Sequence, residues 1–202
     1  MELLRISANN INERPQWLMT LPRLSWLAYS DNPCASTIHD NQSLHEIDWS
    51  DLKLKEQLGE GASGIISNAN LISQQKDVAV KVFKGEVTSD GLPESEMNAC
   101  ALAGTHSSLV RLLGKIKNHP LQKDGLVFEL IPKTFKNLGK PPSFISCTRD
   151  VFDEGTNFSY KEIHQTALDT ASVLLQLHSK GIMHGDFYAH NLMIDENAHV
   201  LL

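Results

Sequence analysis

The chain has 202 residues, enough for one ordinary domain or a domain and a fragment, so we do not expect these residues to form a large multidomain enzyme. Eighteen Lys and Arg against 24 Asp and Glu give a net charge of -6, which argues against a general basic surface that binds nucleic acid or anionic lipid. The sequence contains no run of 18 apolar residues and therefore predicts no membrane span. Because Cys34, Cys100 and Cys147 lack a C-x-x-C pair, they indicate reduced thiols and a cytoplasmic setting.

A repeat with a period of 23 residues opens the chain. Leu4 to Ile11 aligns with Leu27 to Cys34, and both copies read L-x-(I/Y)-x-x-N-x-(I/C). The pattern predicts two short strands, each followed by an asparagine turn, and residues 1–34 resemble the last one or two leucine-rich repeats of a longer parent chain, which could bind a protein partner. The alternative is an apolar segment that packs on the following domain, because two repeats are too few to stand alone.

Polar residues 35–49 lack a sustained period and predict a linker. Alternating and β-branched runs after it predict five strands, within residues 52–58, 65–66, 78–83, 110–116 and 126–131.

Two helices are predicted among and after these strands. The first begins at Pro93 and ends before Gly104, as helix termini prefer. After a loop-rich stretch, Ser159 and Glu162 form a capping box that opens an amphipathic helix over residues 159–179. Its apolar stripe consists of Ile163, Ala167, Ala171, Leu174 and Leu175.

A glycine-rich loop follows the first predicted strand of this region. Gly59, Gly61 and Gly64 form a G-x-G-x-x-G pattern, which lets backbone amides close over phosphates without side-chain obstruction. The pattern alone is weak in a chain with 12 glycines. Because a further strand, and not a helix, follows it, a β-hairpin over a nucleotide is the better interpretation.

A lysine in an apolar strand is the second part of the pattern. Lys81 ends the run Val78-Ala79-Val80-Lys81, and an inward ammonium needs anionic partners. Glu96 on the following helix is the predicted carboxylate that orients it. Glu94 is a competing partner, because the sequence does not fix the phase of the helix.

An aspartate and an asparagine five residues apart follow the second helix. Asp186 and Asn191 lie in the run His184-Gly185-Asp186-Phe187-Tyr188-Ala189-His190-Asn191. Their chemistry suits a carboxylate that accepts a hydroxyl proton and an amide oxygen that holds Mg²⁺.

Taken in order, these motifs resemble those of a eukaryotic-like protein kinase, here one with leucine-rich repeats ahead of it. The resemblance implies an α+β, two-lobed fold with an incomplete C-lobe, preceded by the repeat remnant. It covers residues 50–202, with the N-lobe at about 50–131 and part of the C-lobe at about 132–202. It also implies transfer of the γ-phosphate of ATP to a protein hydroxyl, with Ser or Thr favoured over Tyr, and Mg²⁺ as the metal.

The resemblance implies a role for each matching residue. Lys81 would contact the α- and β-phosphates, Glu96 would pair with Lys81, Asp186 would be the catalytic base and Asn191 a metal ligand. Phe128 would guard the back of the adenine pocket. Adenine would be held between Leu58, Ile66, Ala79 and Met193, with its edge on the backbone of Glu129 and Ile131.

Three departures from the family pattern keep other functions open. Gly185 stands where the family has arginine, and Tyr188, Ala189 and His190 replace the usual basic residue of the loop. The H-G-D form also resembles small-molecule phosphotransferases. The D-F-G aspartate would fall just beyond Leu202, so the 202-residue chain alone is expected not to transfer phosphate, and a non-catalytic ATP-binding scaffold is a further alternative.

Overall fold

The computed structural model describes residues 3–24, 26–35, 44–85, 91–141, 143, 146 and 150–202. The chain folds as two compact units, the first made of Met1–Gly104 and Leu112–Leu130, the second of Thr105–Arg111 and Ile131–Leu202. Cys147 and most of the predicted linker lie outside the described residues. The strands and α-helices are β1 (Leu3–Arg5), β2 (Trp26–Ala28), β3 (Glu46–Asp48), β4 (Leu52–Glu60), β5 (Gly64–Leu71), β6 (Lys76–Phe83), α1 (Pro93–Ala103), β7 (Leu112–Lys117), β8 (Gly125–Glu129), β9 (Lys136–Asn137), α2 (Tyr160–Ser179), β10 (Met193–Ile194) and β11 (Val200–Leu201).

The N-terminal segment has the period that its sequence predicts. Strands β1 and β2 pair in parallel with Leu4 opposite Leu27, a separation of 23 residues. A short 3₁₀ helix, Gln16–Thr20, lies between them and buries Leu18. The second copy of the repeat therefore stacks directly beside the first.

Asn32 is the buried polar centre of this segment. Its side chain is 3% exposed. Its amide group donates to the Ile6 carbonyl at 2.7 Å and to the Tyr29 carbonyl at 2.8 Å, while its Oδ1 accepts from the Ile11 amide at 3.2 Å. One side chain thus binds the turns of both copies.

We expect Asn32→Ala to lower the free energy of unfolding of the N-terminal segment by about 1–3 kcal/mol, because it leaves buried backbone groups without partners. Asn9 occupies the same position in the first copy but is exposed, and it bonds the carbonyls of Ile6 and Ser7. Asn9→Ala is the matched control and should change stability by about 0.5 kcal/mol or less. Urea denaturation measures both values, and equal losses would contradict this account of Asn32.

A six-stranded sheet forms most of the first unit, with the order β3-β7-β8-β6-β5-β4. Five of its strands correspond to the predicted ones, with ends that differ by a few residues. The sixth, β3, corrects the prediction that residues 35–49 are all linker, because Glu46–Asp48 pairs in parallel with β7. Its three residues bury Ile47 alone, too short a pattern to show a period.

The two faces of this sheet differ in composition. Cross-strand partners share a face, so Ile66 pairs with Lys81 on one face, and Ala79 pairs with Phe128 on the same face. The opposite face forms the apolar core, which consists of Ile47, Leu52, Ala69, Leu71, Val78, Val80, Ile116 and Val127. The core thus fixes the register that turns Lys81 to the other side.

The second unit contains α2 and a small sheet in the order β11-β10-β9. The predicted capping box is confirmed: Ser159 Oγ accepts from the Glu162 amide at 3.3 Å, and Glu162 accepts from the Ser159 amide at 2.7 Å. The helix buries Val173 and Leu177, whereas Ile163 and Leu175 of the predicted stripe are exposed.

Asp169 joins α2 to the end of the chain. Its Oδ2 lies 2.9 Å from His199 Nδ1 and accepts from the Val200 amide at 3.0 Å. The small core beside it consists of Leu192, Ile194, Ala198 and Val200. Among the described residues, no helix is both long and apolar enough to cross a membrane.

Candidate nucleotide site and catalytic loop

The glycine-rich loop connects β4 to β5 as a hairpin, as predicted. The Gly61 amide donates to the Gly64 carbonyl at 2.9 Å and closes the turn. A Cβ on Gly64 would lie 2.8 Å from the Val82 carbonyl, so the fold itself requires this glycine. Within the described part of the chain, Gly59 and Gly61 have no atom within 4 Å of a Cβ built on them, so these two positions leave open space at the hairpin. Close packing therefore explains the glycine at position 64, whereas the glycines at positions 59 and 61 keep space free at the hairpin.

Lys81 forms an ion pair with Glu96 of α1. The side chain of Lys81 is 15% exposed and that of Glu96 is 37% exposed, so the pair lies at the boundary between the unit and solvent. Lys81 Nζ also lies 5.1 Å from the centre of the Phe83 ring. Glu94, the competing partner, is exposed. The phase of α1, which the sequence left open, places Glu96 and not Glu94 on the lysine.

Cys100 lies one helical turn after Glu96 on α1. Burial, with a smaller contribution from the nearby Glu96 carboxylate, raises the pKa of its thiol to about 11, against an opposing effect of Lys81. The thiol is therefore protonated at neutral pH and leaves Glu96 as the anionic partner of Lys81.

The residues predicted to hold adenine are divided between the units. Ile66 and Ala79 lie on the sheet face that carries Lys81, and Phe128 lies beside Ala79 on β8. Leu58 lies in β4 where the pairing with β5 shifts register, and it is half exposed. The Glu129 side chain pairs with Lys76 at 2.7 Å. Ile131 and Met193 belong to the second unit.

Asn191 holds the carboxylate of Asp186 in the second unit. Its Nδ2 donates to Asp186 Oδ2 and to the Asp186 carbonyl, both at 2.8 Å. The other carboxylate oxygen, Asp186 Oδ1, is buried and has no hydrogen-bond partner among the described residues. A buried carboxylate oxygen without a donor costs free energy.

The backbone of this loop is fixed by contacts that the sequence does not reveal. Gly185 has φ +77, a region that glycine enters without strain. The Ala189 amide donates to Asp150 Oδ1 at 2.7 Å, across 39 residues of chain. A Cβ on Gly139 would lie 2.8 Å from the Ala189 side chain. The small Ala189, a departure from the family pattern, thus fits a close approach of backbone.

The comparisons with known proteins all indicate the same family. A family model described as "Protein kinase domain" matches residues 52–202. The chain is 24% identical to fibroblast growth factor receptor 1 of Pleurodeles waltl over 96% of this chain, and 30% identical to the megakaryocyte-associated tyrosine-protein kinase of Rattus norvegicus over 75%. It is 28% identical over 85% to a probable LRR receptor-like serine/threonine-protein kinase of Arabidopsis thaliana.

The chain spans 26%, 29% and 18% of the length of these three relatives, respectively. Their names include both tyrosine and serine/threonine kinases. The matched range contains the glycine-rich loop, the Lys81–Glu96 pair and the Asp186–Asn191 pair, in agreement with the resemblance noted in the sequence. The chain therefore belongs to the protein kinase domain family.

Proposed function

We propose that this chain supplies the nucleotide-binding and proton-accepting residues of a protein kinase that transfers the γ-phosphate of ATP to a Ser or Thr hydroxyl. The observation that carries the proposal is the Lys81–Glu96 ion pair beside the glycine hairpin. The kinase domain would span residues 50–202, with an N-lobe at about 50–131 and part of a C-lobe at about 132–202.

The first unit fits the phosphate and adenine groups of ATP. Gly59 and Gly61 leave room for phosphates at the hairpin, and Lys81, held by Glu96, supplies the positive charge that phosphate oxygens require. Ile66 and Ala79 offer the apolar surface for adenine on the same sheet face, with Leu58 as a further apolar contact. The backbone of Glu129 would meet the edge of the base, whereas the assignments of Ile131 and Met193, which belong to the second unit, rest on the resemblance alone.

The second unit offers oxygen ligands of the kind that Mg²⁺ prefers. Because Asn191 Nδ2 is used on Asp186, its Oδ1 is the atom we assign to the metal. When bound, Mg²⁺ neutralises charge on the phosphates during transfer. Asn191 would then both hold the carboxylate of Asp186 and contact the metal.

Asp186 would accept the proton of the acceptor hydroxyl. The hydroxyl oxygen forms a bond to the γ-phosphorus, the bond from that phosphorus to the β–γ bridging oxygen breaks, and ADP leaves. The hydroxyl proton passes to the carboxylate of Asp186, which Asn191 holds in place.

We also assign residues 1–34 to a leucine-rich-repeat remnant that could contribute to partner binding in a longer parent chain. The parallel pairing at a period of 23 residues and the bonds of Asn32 support this assignment. The Asn32→Ala and Asn9→Ala pair tests it. We place the kinase in the cytoplasm, a location favoured by the free thiols of Cys34 and Cys100.

A matched pair of variants on one helix tests the nucleotide site. We expect Glu96→Gln to weaken binding of a fluorescent ATP analogue to the chain by about tenfold, because Lys81 loses its charged partner. Glu94→Gln removes the same charge two residues away and should leave affinity within about twofold. Equal effects of the two variants, or no binding by the wild type, would overturn the assignment.

Assays of the full-length protein decide between the alternatives. Transfer of labelled phosphate from ATP to Ser- or Thr-containing peptides is the expected result, and transfer to Tyr peptides alone would correct the acceptor. Nucleotide binding without transfer to any peptide would favour the non-catalytic scaffold. Transfer to an aminoglycoside or to choline in place of peptides would favour a small-molecule phosphotransferase.

A further inference from the structure

The N-terminal segment contacts the first turn of the helix that carries Glu96. Asp31 Oδ2 accepts from the Leu92 amide at 2.6 Å, and Asp31 Oδ1 accepts from the Ser95 hydroxyl. Leu92 is the N-cap of α1 and supplies no side-chain capping bond of its own. Asp31, which lies 61 residues before Leu92, therefore caps the helix in place of Leu92. Its negative charge is also favourable at the positive end of the helix dipole.

Asp31 is held in place by its own surroundings. It lies beside Asn32, whose bonds fix the turns of both repeats, and its backbone has φ +59, the left-handed conformation that aspartate tolerates better than most residues. A Cβ on Gly91 would overlap Asp31 Oδ2, so a glycine stands where the two segments approach. The close approach of the two segments therefore depends on the left-handed backbone of Asp31 and on the absence of a side chain at Gly91.

Helix α1 is partly buried along its middle, from Ser95 to Leu102. The buried residues of this helix are Pro93 and Ala103, at its two ends. Glu96, one residue after Ser95, forms the ion pair with Lys81. Because Glu96 directly follows Ser95 in the first turn, the two polar contacts of that turn should hold Glu96 at Lys81.

We propose that Asp31 is a positioning residue for the Lys81–Glu96 pair, through which the N-terminal segment sets the competence of the nucleotide site. Loss of the Asp31 contact lets the first turn of α1 fray and removes Glu96 from Lys81. A change in the N-terminal segment, such as binding of a partner, would reach the site by the same route. The effect on phosphate transfer rests on the proposed kinase function, whereas the effect on α1 does not.

Hydrogen exchange tests the structural step without any need for activity. Asp31→Ala should speed exchange of the Leu92 amide and of the first turn of α1 by about fivefold, which is the typical effect of losing an N-cap. Ser95→Ala should have a smaller effect, and the double variant should be less than additive. Asp48→Ala is the control, because Asp48 accepts from the Ser50 amide at the start of a short 3₁₀ helix, Trp49–Asp51, in the same unit. Unchanged exchange at Leu92 in Asp31→Ala, or equal changes at Leu92 in both Asp variants, would overturn the proposal.

Activity in a second genetic background separates positioning from general stability. In the full-length protein, Asp31→Ala should lower kcat by about three- to tenfold, while Asp48→Ala lowers it by less than about twofold. In a Glu96→Gln background, Asp31→Ala should have little further effect, because its route to Lys81 is already cut. An equal loss in both backgrounds would show a structural role alone and refute positioning. If the wild type transfers no phosphate, the proposed function fails, and hydrogen exchange still decides the role of Asp31.

Discussion

Lys81→Met is expected to lower kcat for phosphate transfer in the full-length protein by about a hundredfold or more, the typical effect of removing one group that stabilises developing charge. Methionine retains the length and the apolar stem of lysine, so the packing of β6 stays close to that of the wild type. Glu96 loses its partner but is 37% exposed and remains solvated. Stability should therefore change by about 1 kcal/mol or less.

A second lysine in the same sheet provides the control for this variant. Lys115 lies on β7 and pairs with Glu46 at 3.3 Å, and Lys117 also pairs with Glu46, at 2.8 Å. Lys115→Met removes the same charge from the same sheet and should leave kcat within about twofold. Single-turnover transfer and thermal unfolding measure the two effects. Wild-type turnover in Lys81→Met would refute the assignment of Lys81 to the phosphates.

Local patterns in the sequence predict the elements of this molecule well. The period of 23 residues predicts the pairing of Leu4 with Leu27, because stacked repeats align equivalent residues. The Ser159 and Glu162 pair predicts the start of α2, because the capping box is made within four residues. In both cases the partners lie at a fixed spacing along the chain, which a pattern can record.

Contacts between distant segments are less visible in the sequence. Asp31 bonds Ser95 across 64 residues, and Asp150 bonds Ala189 across 39, with no spacing rule to connect either pair. The choice between Glu94 and Glu96 has the same origin, since it depends on the rotation of α1 against β6. Strand β3 escapes prediction because a single buried residue, Ile47, gives no periodicity.

The candidate site, like the fold, could be predicted only in part from the sequence. The types of its candidate residues could be proposed, because phosphate, adenine and Mg²⁺ chemistry favours glycine, lysine, apolar and oxygen-bearing side chains at ordered positions. The sequence could not predict that packing requires only one of the three glycines. Gly64 is required by the Val82 carbonyl, and Gly59 and Gly61 by no contact among the described residues.

Asp186→Asn is expected to lower kcat by about 10²–10⁴-fold in the full-length protein, the range that a general base contributes. Asparagine has nearly the shape of aspartate, and its side-chain oxygen can still accept from Asn191 Nδ2, so the loop should keep its fold. What is lost is the negative charge of the carboxylate, which the amide of asparagine cannot replace as a proton acceptor. Affinity for an ATP analogue should fall by less than about threefold, because Lys81 and the glycine hairpin are untouched.

An exposed aspartate in the same unit separates this effect from a general loss of charge. Asp153 forms an ion pair with Lys140, and both side chains are more than half exposed. Asp153→Asn should therefore leave kcat within about twofold, as surface ion pairs contribute little. Transfer of labelled phosphate, nucleotide titration and thermal unfolding are measured on both variants. A kcat for Asp186→Asn within threefold of wild type would show that the hydroxyl proton leaves by another route, whereas equal losses of kcat and of nucleotide affinity would assign Asp186 to binding alone.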